Sequence, residues 1–500
     1  MKRSGWLLLV FGFIVHAYAY AQHPDWRNVS GAFYDWTRTG RPESPYAYDY
    51  GQTLVMHLML ATPDGKGGSY VRRSFEDVYA LVKQVDAITR HVPKIIYLVG
   101  WQYNGHDDGY PAWHQVNNAL KRSGDSTGRQ SLIWLFKVCK QYNTTISVHV
   151  NMADAYQNSP LWDTYWKEGL IARLKDGAPM KIGAYNGLDA YQVCARQEWE
   201  KGYAVKRIDE LLTLLPFLKE AKTLLLDAYF SRGNPYLNIS REEEESCQRR
   251  VIRYFKTLGL DVAQESYLRL REGYDHFTGL SPWFTWFDQT ESGYMLTPAS
   301  VATGGGPFLF IRQFPKQADE EMQLGFLFGM STRGEDCFND LADDFRTIVH
   351  WQEAFQYQFY TGTLPYMYLN RYRRERLRGK GLQRVAYYSD GLTVSLKDSL
   401  ITHHDMVLRQ GNDLFVPAVW RTQREVIAYS RNGYTSKIWV LPSGWSEVKA
   451  VELFRIDGSG QHFLKRLPVV DRRVCLSLLK GEAIVVRPTQ NGSDSRRTIR

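Results

Sequence analysis

The sequence predicts an α/β protein, a (β/α)8 TIM-type barrel followed by a C-terminal β-sandwich. Three observations lead there. From about residue 50 to 300, short apolar strands alternate with amphipathic helices. Acids and amides stand directly after several different strands. Beyond about residue 380 only short strands separated by turns remain. Strands alternating with helices mean parallel strands joined by crossovers. An open doubly wound sheet shares that alternation, but no Gly-rich dinucleotide fingerprint follows the first strand. Polar residues spread over many strand ends suit the rim of a barrel, where loops build the site.

Taken in order, Gln52–Leu60 reads as the first strand. Ser74 caps a helix over Phe75–Thr89, which leads into the buried strand Lys94–Gly100. Apolar spacing gives a helix over Arg129–Tyr142 and β-branched bias a strand over Thr144–Val150. Val205–Lys222 reads as one helix despite Pro216, and precedes the strand Thr223–Phe230. Ser240 and Glu243 form a capping box for a helix through about Phe255, stopped near Gly259. Asp261–Glu265 is the next strand. Residues 380–489 hold the expected sandwich: Arg384–Ser389, Leu392–Leu396, Leu414–Val419, Glu425–Tyr429, Lys437–Leu441, Ala450–Ile456, Val474–Leu478 and Ala483–Arg487. The barrel with its lead-in occupies 22–375, and 490–500 is a polar tail expected to be disordered.

The N-terminus carries Lys2 and Arg3, an apolar run over Trp6–Val15, and Ala19-Tyr20-Ala21 as a small-x-small site. This is the pattern of a signal peptide over residues 1–21, and it predicts a protein secreted, periplasmic or held at the cell surface. No other apolar segment approaches the ~20 residues of a membrane span, so none is expected after cleavage.

The net charge of +9 comes from dispersed residues. The densest cluster, Arg371, Arg373, Arg374, Arg376, Arg378 and Lys380, reads as a solvated linker, and nothing matches a nucleic-acid module. Five scattered cysteines without CxxC spacing give neither a disulfide framework nor a zinc site. Aromatic residues make up 14% of the chain, with 15 Trp and 32 Tyr. Such side chains stack on the apolar faces of sugar rings, which favours a glycan-handling protein.

The strand ends then supply the chemistry. After Lys94–Gly100 come Trp101, Gln102, His106 and Asp107; after Thr144–Val150 come Asn151 and Asp154. Leu224–Leu226 delivers Asp227, and Asp261–Gln264 delivers Glu265. Adjacent parallel strands lie about 4.8 Å apart. The two carboxyls can therefore reach the ~5–5.5 Å separation of a retaining glycosidase, with Asp227 as nucleophile and Glu265 as acid/base. The Asp227 charge should raise the pKa of Glu265. The Gly-flanked His106-Asp107 loop suits hydrogen bonds to sugar hydroxyls; a lone His-Asp pair is weak as a metal motif. Trp283 and Trp286 are a stacking platform or core. Glu242–Glu245 reads as the solvated first turn of a helix.

The runs Gly100–Pro111 (GWQYNGHDDGYP), His149–Tyr156 (HVNMADAY) and Leu224–Phe230 (LLLDAYF), with Glu265, resemble the catalytic domain of endo-α-N-acetylgalactosaminidases, glycoside hydrolase family 101. The related α-N-acetylgalactosaminidases of family 129 are similar too. The resemblance implies Asp227 as nucleophile, Glu265 as acid/base and Asp107 as the aspartate that holds sugar hydroxyls, with Trp101, Gln102 and His106 beside it. It implies a mucin-type O-glycoprotein substrate, cut at the α-linked N-acetylgalactosamine on Ser or Thr; on the residues themselves, neither cofactor nor metal is expected. Three alternatives stay open: an exo-acting or α-galactosidase-like enzyme for another α-linked sugar, a non-catalytic glycan-binding barrel, and a metal-dependent hydrolase using His106, Asp107 and Asp154.

Overall fold

The computed structural model describes residues 42–265, 276–285, 291–296, 302–305, 315–340, 346–348 and 350–489. The expected signal peptide, Trp286 and the C-terminal tail lie outside them.

A seven-stranded parallel sheet forms the centre. Its order follows the chain: Leu54–Met59, Lys94–Val99, Thr144–Val150, Thr223–Leu226, Asp261–Gln264, Trp283–Thr285 and Ala302–Gly305. The first, second, fourth and fifth strands are buried along their whole length, as expected when a parallel sheet is covered on both faces. Side chains alternate across each strand. One set, Val55, Ile95, Tyr97, Leu225, Ala263 and Phe284, converges on the inside of the curled sheet. The other set, including Leu54, Ile96, Leu224 and Val262, packs under helices such as Phe75–Thr89 and Arg241–Thr257. Beyond the seventh strand, the segment around Arg333 reaches the first one, where the His57 N–H donates to the Arg333 carbonyl at 2.8 Å.

Several expected elements hold to the residue. Ser74 and Ser240 both make capping boxes, with Asp77 and Glu243. The expected helix over Val205–Lys222 is two helices instead, Tyr203–Leu214 and Leu218–Ala221. Pro216 has no N–H to donate and its ring blocks the preceding turn, so the helix breaks there. The strand expected over Thr223–Phe230 ends at Leu226. The solvated reading of Glu242–Glu245 fails for its second half. Glu244 and Glu245 are buried, Glu244 accepting from the Ala195 N–H at 2.7 Å and Glu245 from the Ser231 hydroxyl at 2.8 Å. The five cysteines are free thiols.

The C-terminal part is an antiparallel β-sheet domain. Ten strands run in the order Arg374–Arg378, Val385–Tyr388, Leu392–Ser395, Leu400–His403, Met406–Gln410, Asp413–Pro417, Val426–Ser430, Ala483–Pro488, Ala450–Asp457 and Gly460–Pro468. A two-stranded sheet, Tyr434–Val440 with Arg473–Leu478, shares a core with it through Trp439, Leu476, Phe415 and Val451. The basic stretch read as a linker contains the edge strand Arg374–Arg378. Arg376 lies 4.4 Å from the centroid of the Tyr387 ring, so charge and strand coexist at an exposed edge.

Candidate active site

The site grows out of the inward-facing series of the parallel sheet. Counting by twos from Val55 gives His57; from Ser147, His149; from Leu225, Asp227; from Ala263, Glu265. The register Gln264↔Leu226 sets Asp227 and Glu265 side by side just past their strands. The Asp227 N–H donates to Val150 and the Glu265 N–H to Leu226. The two carboxyls lie within hydrogen-bonding reach of each other.

Asp227 is held from several sides. Asn151 Nδ2 donates to its Oδ2 at 3.0 Å, and the Ala228 N–H to its Oδ1 at 2.7 Å. His149 Nε2 stands 3.6 Å from Oδ1. Burial alone would raise the Asp227 carboxyl, but His149, Glu265 and His106 together hold it well below the usual range. Glu265 goes the other way. Burial first, then the Asp227 charge, push it up to about 8. At neutral pH the pair is thus one carboxylate beside one carboxylic acid.

Behind the pair runs a chain of charged and aromatic groups. Arg333 Nη2 lies 3.5 Å from Glu265 Oε1 and 3.1 Å from Glu335 Oε2, and its guanidinium sits 4.2 Å from the Phe284 centroid. Glu335 also meets His57 Nδ1 at 2.9 Å. Burial would raise Glu335, yet Arg333 and His57 bring it down to about 2. Burial lowers His57 to about 4, so it stays neutral, edge-on to His149 with centroids 4.9 Å apart.

In front of Asp227 opens a cavity of about 160 Å³ lined by His106, Asp107, Asn151, Asp154, Tyr185 and Arg232, among others. His106 and Asp107 are delivered by the Gly100–Pro111 loop. A Cβ on Gly100 would stand 2.1 Å from the Ala61 carbonyl oxygen, so the loop can lie this close only with glycine there. The His106 N–H donates to the same Ala61 carbonyl at 2.9 Å. Asn151 Oδ1 accepts from the N–H groups of Ala153 and Asp154, which turns Asp154 inward. Burial, with Asp227 and Asp107 nearby, pushes Asp154 up to about 8. Burial raises Asp107 too, against the pull of His106.

Six of the ten expected site residues therefore meet here: Asp227, Glu265, His106, Asp107, Asn151 and Asp154. Trp101, Gln102 and Trp283 are fully buried and do not line the cavity, and Trp286 lies outside the described residues. Trp101 acts from behind, its Nε1–H donating to the His149 carbonyl at 2.8 Å. Its large apolar ring and single donor fit such a buried position. Sequence reasoning passed over His57, His149, Arg333, Glu335, Tyr185 and Arg232. Strand alternation puts both histidines on the inward face without marking either as a site residue. The hairpin that carries Tyr185 is signalled by Asn186-Gly187, a dipeptide suited to turns with positive φ. Arg333 and Glu335 have no such local signal. The trio able to hold a metal at this site, among the described residues, is His106, His149 and Asp227, whose donor atoms lie within 4.8 Å of one another. It shares only His106 with the trio of the metal-dependent alternative, His106, Asp107 and Asp154.

A family model described as endo-alpha-N-acetylgalactosaminidase, glycoside hydrolase family 101, matches residues 54–279, the stretch that holds both carboxyls and the cavity. No curated protein sequence matches the chain. Among solved structures, the alpha-N-acetylgalactosaminidase NagBb from Bifidobacterium bifidum in its GalNAc complex is similar with a TM-score of 0.51 at 12% identity, covering 80% of this chain and 64% of that one. Its Gal-NHAc-DNJ complex gives a TM-score of 0.50 at 14% identity, covering 80% and 63%. The likeness lies in the fold, and this chain spans less than two thirds of the length of those structures.

Proposed function

We propose, for a chain whose residues 54–279 match the endo-alpha-N-acetylgalactosaminidase family, a secreted retaining glycosidase that cleaves α-linked N-acetylgalactosamine, carried in the galactose-β-1,3-N-acetylgalactosamine disaccharide, from Ser or Thr of mucin-type O-glycoproteins. The observation that carries this reading is a pair of carboxyls side by side at neighbouring strand ends and facing one imidazole, with the surroundings pulling Asp227 toward the ionised form and Glu265 toward the protonated one. That is the division of labour a double displacement needs. We also read the curled sheet as a closed barrel, with the segment at Arg333 in the eighth position beside the first strand.

In the first step an Asp227 oxygen attacks the anomeric carbon while Glu265 gives its proton to the leaving glycosidic oxygen. The C–O bond breaks, the peptide hydroxyl departs, and the sugar is left as an ester on Asp227. Glu265, now a carboxylate, takes a proton from water, whose oxygen attacks the same carbon and frees Asp227. Two inversions give net retention. Asn151 and the Ala228 N–H keep the attacking carboxylate oriented. His149, whose pKa is raised by Asp227 and Glu265 against the effect of burial, balances its charge. Adjacent strand ends, paired at Gln264 and Leu226, favour the short ~5–5.5 Å separation of the retaining pattern over the ~6.5–9.5 Å of the inverting one. His106, Asp107 and Asp154 offer acceptors and donors for ring hydroxyls.

A second reading, release of N-acetylgalactosamine alone, is favoured by the cavity wall. The Lys181–Gln192 hairpin sets Ile182 and Tyr185 across from Asp227, enclosing space next to the nucleophile. It is also the activity in the name of NagBb. The test is release of sugar from aryl α-N-acetylgalactosaminide and from its galactose-β-1,3 disaccharide, comparing wild type with Asp227→Asn. Disaccharide release abolished by the substitution supports the first reading; monosaccharide release alone supports the second. Cleavage of neither by wild type overturns both.

A further inference from the structure

The C-terminal sheet carries a second cluster of ligating groups, on the turn Ser389–Gly391 and on the turn that follows the strand Leu400–His403. Asp390 Oδ2 lies 3.2 Å from His403 Nε2, and Asp390 Oδ1 lies 3.3 Å from His404 Nε2. Three donor atoms, one per residue, fall within 4.8 Å of one another. We infer that Asp390, His403 and His404 form a binding site for a divalent transition metal of the zinc class, with a water completing the coordination.

Four observations carry it. A tetrahedral zinc with bonds of about 2.0–2.1 Å has ligand atoms about 3.3 Å apart, and each imidazole stands at about that spacing from one of the two Asp390 oxygens, Oδ2 for His403 and Oδ1 for His404. The three donors lie within 4.8 Å of one another, and the His404 side chain, 57% exposed, is free to turn toward a shared ion. His403 is buried, and its other ring nitrogen, Nδ1, is 2.8 Å from the Tyr368 hydroxyl. A metal-bound histidine needs such a partner behind it to fix its tautomer, with Nδ1–H donating to Tyr368 and the Nε2 lone pair facing the ion. Two imidazoles and one carboxylate favour zinc-like ions over magnesium or calcium, which prefer all-oxygen shells. Finally, the neighbouring cations turn elsewhere. Arg371 donates to the Val419 carbonyl and Arg373 pairs with Glu375, so neither guanidinium occupies the site.

Bound there, the ion would tie two adjacent turns of the sheet to the helix Leu364–Leu369, which supplies Tyr368. Its role is structural, and it does not depend on the glycosidase reading. The alternative is a metal-free turn in which His403 Nε2–H donates to the Asp390 carbonyl at 3.0 Å and to its carboxylate at 3.2 Å, so zinc must displace that proton to bind.

The experiment uses the full chain, stripped with a chelator, dialysed and titrated with zinc chloride, with protein-bound metal and melting temperature read out. Zinc held by His106, His149 and Asp227 would be common to all variants, so the quantity read is the difference between wild type and His404→Ala. The expected result is one more zinc per chain in wild type, and a zinc-dependent rise in melting temperature that His404→Ala and Asp390→Asn both lose. Affinity at this site should fall at least tenfold in Tyr368→Phe. Both ligand positions are exposed, so both variants should fold. Equal zinc content and equal zinc response in wild type and His404→Ala overturn the proposal.

Discussion

Arg333 is the residue that joins the candidate acid to the rest of the charged network. It stands 3.5 Å from Glu265 and draws that carboxyl downward, against burial and the Asp227 charge that raise it. Replacing Arg333 with Met should therefore move Glu265 above its value of about 8. A general acid works while protonated, so the alkaline limb of the kcat/KM profile should shift to higher pH. An unmoved limb would mean that another group sets it. Asp154 allows a prediction of stability. Its folded pKa of about 8 exceeds the ~3.9 of an unfolded aspartate, so the folded state binds the extra proton between those values. Stability from this group is full below about pH 4 and is lost as pH rises toward 8. Asp154→Asn, neutral throughout, should melt higher than wild type at pH 8, with the advantage vanishing near pH 4. Equal melting at both pH values would refute the buried proton. At this scale the sequence was partly legible. Asp227 and Glu265 stand out because a carboxylate after a run of leucines or at a strand end has few structural uses. His57 and His149 were hidden inside strands, where an inward histidine looks like any β-strand residue until its neighbours across the sheet are known.

The hairpin Lys181–Gln192 is the element that shapes the cavity. Its strands are exposed or half-buried except at the end of the second, and its turn is anchored by Asn186 Nδ2, which donates to the His106 carbonyl at 2.9 Å. Arg232 Nη1 adds a bond to Gln192 Oε1 at 2.6 Å. Its second strand pairs with Asp154–Tyr156 and its base packs through Ala190 and Tyr191, while the turn end rests on the polar tie of Asn186, so the turn can be loosened without unfolding the chain. Asn186→Ala should raise KM for an aryl glycoside about 3- to 10-fold and leave the melting temperature within about 2 °C, because one partly exposed hydrogen bond is worth about 1 kcal/mol. An unchanged KM would remove the hairpin from substrate binding. Helix starts were legible at this scale because their signals are local, a serine followed three residues later by an acid. The hairpin was missed although Asn186-Gly187 marks it, since its flanks lack the apolar alternation of a buried strand. The helix through Pro216 was overextended because apolar spacing continues past a residue whose backbone cannot.

The two halves of the molecule share one core. Ala386, Tyr388, Leu392, Ile401 and Leu414 of the C-terminal sheet belong to the same packed cluster as Leu54, Phe75 and Leu132 around the parallel sheet. Both halves were legible from the change in period, 3.6 against 2, but their docking was not, because it depends on contacts across hundreds of residues. Glu425 is the centre of that docking. Its side chain is fully buried and takes two bonds from Arg90, at 2.9 and 3.2 Å, and one from Arg487 at 2.8 Å, with Arg421 at 3.6 Å. Arg90 ends the helix Phe75–Thr89, and its carbonyl accepts from Trp420 Nε1 at 3.0 Å, so one residue is bonded twice to the sheet domain. Removing one member of a buried ion pair strands the others without water or partner, at a cost of about 3–5 kcal/mol. Glu425→Ala should lose about that much in denaturant unfolding. Glu452, paired with Arg466 near the surface of the same sheet, is the control, and Glu452→Ala should cost no more than about 1 kcal/mol. If the halves are one cooperative unit, Glu425→Ala lowers a single transition seen alike by activity and by tryptophan fluorescence. Two separated transitions, with the activity midpoint unmoved, would mean that the sheet domain detaches on its own and that the shared core does not couple the two.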